Sequence, residues 1–81
     1  MEQHLDENEL ASCVRQVLGQ YFRDLDGETP SGIYDMVLHC VEKPVLELIL
    51  NQADGNQSRA AEMLGINRNT LRKKMSQHGI K

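Results

Sequence analysis

Residues 44–52, PVLELILNQ, limit the available folds more than any other stretch. Val45, Leu46, Leu48, Ile49 and Leu50 place apolar groups on nearly every face of a helix, so burial is needed on more than one side. The preceding turns continue the same element. Ile33, Tyr34, Val37, Leu38 and Val41 recur at helical spacing, so a helix is predicted near 31–52. Pro44 removes one backbone donor and crowds the turn before it, which predicts a kink. It does not predict an end, because the apolar pattern resumes at once. A chain of 81 residues has little else with which to cover such a helix. A homodimer with the first two helices of both copies interleaved answers that need. A helix central to a monomeric bundle is the competing answer. The expected dimer core is Val37, Leu38, Val41, Val45, Leu46, Leu48 and Ile49.

The rest of the chain also reads as helix, with no strand signal, so the predicted class is all-α with four helices. Residues 1–8 are acidic and read as a flexible N-terminus. Helix one is expected near 9–24, with Asn8 as its N-cap and Leu10, Val14, Val17, Leu18, Tyr21 and Leu25 along one stripe. Asp26-Gly27 marks a turn. Thr29-Pro30 reads as a cap followed by proline at the first helical position, with Ser31 as the alternative cap. Asp54-Gly55 ends helix two. Asn56 caps a short helix near 57–63, Leu64-Gly65-Ile66 turns the chain, and a last helix near 67–77 stops at Gly79. The expected organisation is dimerisation helices over 9–55 and a helix-turn-helix over 56–81, within one compact domain.

Several function classes are excluded early. No apolar run approaches the ~18 residues of a membrane span, and MEQHLDENEL has no apolar core of a secretory signal. Cys13 and Cys40 have neither metal-ligand nor redox spacing, so reduced, buried thiols in a cytoplasmic protein are expected. His4, His39 and His78 have no partner at catalytic or metal spacing. No enzyme, no cofactor, no metal and no small-molecule substrate is expected.

Charge points the other way, toward a partner. The formal net charge is −3, yet residues 1–55 carry three bases against eleven acids, while residues 56–81 carry six bases against Glu62 alone. A local basic surface attracts phosphate within about a Debye length, roughly 8 Å at physiological salt, whatever the far end carries. Residues 57–76, QSRAAEMLGINRNTLRKKMS, have the composition that a helix-turn-helix needs. Ala61 is small where two helices cross, Gly65 tolerates positive φ in the turn, and Ala60, Leu64, Ile66, Leu71 and Met75 can face inward. Asn67, Arg68, Asn69, Arg72 and Lys73 then lie outward at the start of the second helix, the part that enters a major groove. Lys73 and Lys74 also suit the C-terminal half of a helix dipole. Arg68 at the N-terminal end opposes it, so helix stability alone does not explain Arg68. Asn67 is explained equally by an N-cap and by a base contact. Ser58 and Thr70 can donate to phosphate or lie exposed.

The stretch GNQSRAAEMLGINRNTLRKKMSQHGI resembles the DNA-binding end of the Fis family of bacterial nucleoid-associated proteins. The resemblance extends through LASCVRQVLGQYFRDLDG and IYDMVLHCVEKPVLELIL, proline included, to cover roughly residues 10–80. The C-terminal domain of enhancer-binding response regulators is similar in its helix-turn-helix, but there it follows an ATPase domain. The Fis resemblance implies a homodimer that binds and bends double-stranded DNA as a nucleoid-associated transcriptional regulator in the cytoplasm, with the transcription machinery as a further partner. Its recognition helices lie closer together than one DNA turn, so groove width and deformability of the site are read as energy. Position by position it implies that Arg68 reads a guanine edge and that Asn67 faces the neighbouring step. It places Asn56, Ser58, Arg59, Thr70, Arg72, Lys73 and Lys74 at the backbone or groove wall. Asp54, Ser76 and Gln77 stand where enteric members carry cations, which implies fewer flanking phosphate contacts and a shallower salt slope. Only about nine residues precede helix one, without the β-pattern of the arm that contacts a DNA invertase. Recombinase stimulation is therefore not part of the expectation. The rival function is an acidic helical dimer that binds a protein partner without specific DNA binding.

Overall fold

The structure is a computed structural model that describes residues 7–81. Four helices follow in order: α1 (Glu7–Asp24), α2 (Ile33–Gln52), α3 (Gln57–Leu64) and α4 (Arg68–Gln77). Among the described residues there is no strand. The expected flexible N-terminus lies outside the described residues, apart from its last two positions. Asn8 is inside α1 and so does not cap it.

By internal packing the chain divides into residues 1–31 and residues 32–81. In the first unit α1 leaves Leu10, Val17 and Phe22 exposed, while Val14, Leu18, Tyr21 and Leu25 are half-buried. Its last turn is tied on the polar side, where Gln20 Nε2 donates to Asp24 Oδ1 at 2.8 Å and Arg23 donates to Gln20 at 2.9 Å. Asp26 and Gly27, both at positive φ, then turn the chain as expected.

The second unit groups α2 with α3 and α4. The reason is the C-terminal half of α2. Leu46 and Ala53 join Ala60 and Ala61 of α3 and Leu71 and Met75 of α4 in one buried cluster. Ile49, Leu50, Leu64, Ile66 and Ile80 pack against that cluster. Leu46 is 2% exposed there, so this expected dimer-core residue belongs to the chain's own core. Ile49 is committed in the same direction.

Neither Thr29-Pro30 nor Ser31 starts α2. Its N-cap is Gly32 at φ 65, with no side-chain cap, and Gly32 O accepts the first helical bond from Met36 N at 3.0 Å. A left-handed N-cap suits glycine, and Pro30 stays in the irregular linker before it. The helix runs unbroken across Pro44, as its continuing apolar pattern predicts. Cys13 and Cys40 are free thiols and both are exposed, not buried as expected. Cys40 sits on α2 away from the stripe that carries Leu46, Ile49 and Ala53. Among the described residues no helix is long and apolar enough to cross a membrane.

Candidate nucleic-acid interface

Two short helices and a tight turn build the basic surface, and the N–H groups of Gly65 and Ile66 in the turn are both bonded. At the end of α3, Ile66 N donates to Ala61 O at 3.0 Å and Gly65 N to Glu62 O at 3.2 Å. This pair is the Schellman arrangement, and it needs a left-handed residue between the helices. Gly65 supplies it at φ 78. The bond also draws Ile66 onto the core beside Ala61, so turn and packing reinforce each other. The end of α4 repeats the device, with Ile80 N donating to Met75 O at 2.8 Å and Gly79 N to Ser76 O at 3.2 Å.

Both helix starts are capped by asparagine. Asn56 Oδ1 accepts from Arg59 N at 3.0 Å, and Asn67 Oδ1 accepts from Thr70 N at 2.7 Å. Each cap satisfies one of the backbone donors left open at a helix start. The Asn67 side-chain oxygen is thereby occupied, while its amide hydrogens stay outside that bond.

With Ala60, Ala61, Leu71 and Met75 buried, the opposite surface of the two helices is set. Arg68, Asn69, Arg72, Lys73 and Ser76 are exposed along α4, and Ser58 and Arg59 along α3. Thr70 is half-buried, between the two faces. Among the described residues Arg68, Arg72 and Lys73 make no ion pair. Three unpaired cations thus lie on one exposed helix surface, with no acid on that helix.

Lys74 departs from this pattern. Its Nζ donates to Glu42 Oε2 of α2 at 2.6 Å. The other oxygen of the same carboxylate pairs with His78 Nε2 at 2.8 Å. The expected backbone-contacting Lys74 is therefore a partner of α2 rather than a free cation. Lys74 lies in the last turn of α4 and His78 is the C-cap one turn on, so one carboxylate bridges the end of that helix and its cap. The His78 side chain is 1% exposed, and its ring lies 4.3 Å from that of His39 on α2. Its Nδ1 is buried without a hydrogen-bond partner among the described residues. The hydrogen bond from Lys74, then that from His78, hold the Glu42 carboxyl below its usual range, against a smaller opposing effect of burial.

The Glu42, Lys74 and His78 group was not anticipated from sequence. Lys74 and His78 lie 32 and 36 positions from Glu42, and no local pattern joins them to it. The available signal was the pairing of two nitrogen-bearing side chains at i and i+4, at the end of α4 and its cap, which together can share one carboxylate. Among the described residues no group of His, Cys, Asp and Glu is placed to hold a metal ion.

The bacterial regulatory protein family Fis matches residues 38–78, from the middle of α2 to the end of α4. Individual relatives match over more of the chain. A Fis-like DNA-binding protein of Neisseria meningitidis is 60% identical over 72 residues, covering 89% of this chain and 91% of its own length. One from Ralstonia nicotianae is 55% identical over 76 residues, 94% of this chain and 99% of that protein. The DNA-binding protein Fis of Proteus mirabilis is 40% identical over 79 residues, 98% of this chain and 81% of that protein. A helix-turn-helix packed on a proline-bearing helix, matched at this identity over nearly the whole chain, makes the protein a member of the Fis family.

Proposed function

We propose that the chain binds double-stranded DNA as a homodimer, placing α4 of each copy in a major groove and bending the duplex between them. The observation that carries this is the division of α4 into two faces. Leu71 and Met75 are packed inward, while Arg68, Arg72 and Lys73 face outward without ion pairs among the described residues. Relatives bearing the name DNA-binding protein support the same reading. Arg68, in the first turn of α4, is the base-reading residue, since its guanidinium can meet guanine O6 and N7 together. Asn67 sets the start of that helix through its cap and presents its amide hydrogens to the neighbouring step. Ser58, Arg59, Thr70, Arg72 and Lys73 hold phosphates or the groove wall, and Asn56 orients α3 beside them. The protein acts as a nucleoid-associated regulator in the cytoplasm, without catalysis.

The dimer reading draws on the second stripe of α2. Tyr34, Leu38, Val41, Val45 and Leu48 are exposed and follow one another at alternating steps of four and three residues. That spacing is the seam of a helix-helix interface. It lies roughly 90° around the helix from the stripe that holds Leu46, Ile49 and Ala53. Two apolar stripes on one helix require two partners. The chain's own α3 and α4 cover one of them, and a second copy covers the other.

Arg68→Ala tests the function directly. In a gel-shift titration on a specific site it is expected to weaken binding by ~1–3 kcal/mol, with the circular dichroism of the folded protein unchanged. Unaltered affinity removes Arg68 as the base reader.

A further inference from the structure

The Fis-family functional surface does not account for Glu42. It sits on α2, two positions before Pro44, and spends both carboxylate oxygens on α4. Lys74 and Glu42 are each about one-third exposed, so this pair is less screened than an open surface pair. The direction of Lys74 matters as much as its partner. At 3.6 residues per turn Lys74 projects roughly 160° away from Arg72 and roughly 100° from Lys73. It therefore leaves α4 on the α2 side, whereas Arg68, Arg72 and Lys73 leave it on the exposed side. The second contact fixes the same end of the helix. His78 is buried against His39 and shares the carboxylate, so Glu42 holds α4 one turn beyond Lys74 as well.

We propose that Glu42 is a positioning residue of the DNA-binding unit, which clasps Lys74 and His78 and withholds Lys74 from phosphate. Arg68, Arg72 and Lys73 are then the α4 cations that a duplex meets. The proposal rests on the DNA-binding reading above and refines it, because it assigns one of the four cations of the basic run to the fold. The physical reason is exchange. For Lys74 to reach a phosphate it must leave a carboxylate 2.6 Å away, and the uncovered carboxylate then stands near the same phosphate and repels it. Counterion release counts only cations that neutralise phosphate, so a clasped lysine is silent in the salt dependence of binding.

The test is the salt dependence of duplex affinity, measured by fluorescence anisotropy from about 50 to about 200 mM salt. Wild type, Lys74→Met, Glu42→Gln and the double variant are compared. Lys74→Met is expected to keep the wild-type slope. Glu42→Gln is expected to steepen it by about 0.9 per protomer, hence about 1.8 for the dimer, an extra loss of about twelvefold in affinity across that range. The double variant is expected to return to the wild-type slope. A shallower slope for Lys74→Met overturns the proposal, as does an unchanged slope for a folded Glu42→Gln. A merely structural role for Glu42 moves the melting temperature and leaves the slope alone. If Glu42→Gln fails to fold, Lys74→Met against wild type decides alone. If wild type shows no salt-dependent duplex binding at all, the DNA-binding reading falls, and the proposal with it. That result is distinct from a failure of the clasp.

Discussion

Arg68 and Lys74 carry the same formal charge six positions apart, and the structure gives them opposite surroundings. Arg68 is exposed at the start of α4, whereas Lys74 is bound to Glu42 near its end. The inward residues of this segment were legible from spacing alone, because Leu71 and Met75 recur at i and i+4 and both are buried. The pairing of Lys74 was not, because Glu42 is distant in sequence and comes near only when α2 packs beside α4. His78 failed to stand out for the same reason: a histidine near a helix end gives no local sign that its ring will be buried against His39. One consequence is a dependence on pH. Since the Glu42 carboxyl is held below its usual range, its contribution to stability is complete above the ordinary carboxylate range. It is lost as the pH falls through the lowered value and the group takes up a proton. Thermal melts of wild type and Glu42→Gln are therefore expected to differ at neutral pH and to converge as the pH falls through the lowered value. A constant gap across that fall in pH contradicts a charged role for Glu42.

At the level of the elements, sequence patterns located the helices well and their starts less well. Asn56 and Asn67 are caps because their side-chain oxygens meet open backbone donors, and short polar residues before an apolar period signal this. The start of α2 was misplaced because Thr29-Pro30 offers a stronger local signal than Gly32. Glycine at a left-handed N-cap has no side-chain chemistry to read. Asn8 was misplaced because α1 already includes it. The turn between α3 and α4 was legible, since an apolar-glycine-apolar triplet between two helical periods has few other uses. Gly65 also yields a measurable cost. A Cβ built there meets nothing within 4 Å, so the cost of Gly65→Ala is conformational and not steric. The left-handed backbone at φ 78 is expected to make that variant less stable by ~1–2 kcal/mol in a denaturant titration. A loss well below that range shows that the turn relaxes to a negative φ.

For the molecule as a whole, the proposed assembly rests on the two stripes of α2. The apolar excess of residues 33–52 was visible in the sequence, but how it divides was not. Only with α3 and α4 in place does Leu46 belong to the chain's own core, while Leu48 remains 63% exposed. The exposed stripe is expected to be the dimer seam, so Leu48→Asp should convert a dimer into a monomer in sedimentation equilibrium, with α-helical content largely kept. A wild-type monomer at concentrations well above those used for DNA binding removes the seam and the paired geometry that bending needs. The acidic balance of residues 1–55 leaves the attraction of phosphate to the basic C-terminal surface. The most direct test of this account is amide chemical-shift mapping while a duplex is titrated into the protein. The expected result is a set of shifts concentrated at Arg68, Asn69, Arg72 and Lys73, extending to Ser58 and Arg59 and falling away along α1. Shifts centred on α1 or on the exposed stripe of α2, with α4 unmoved, contradict it.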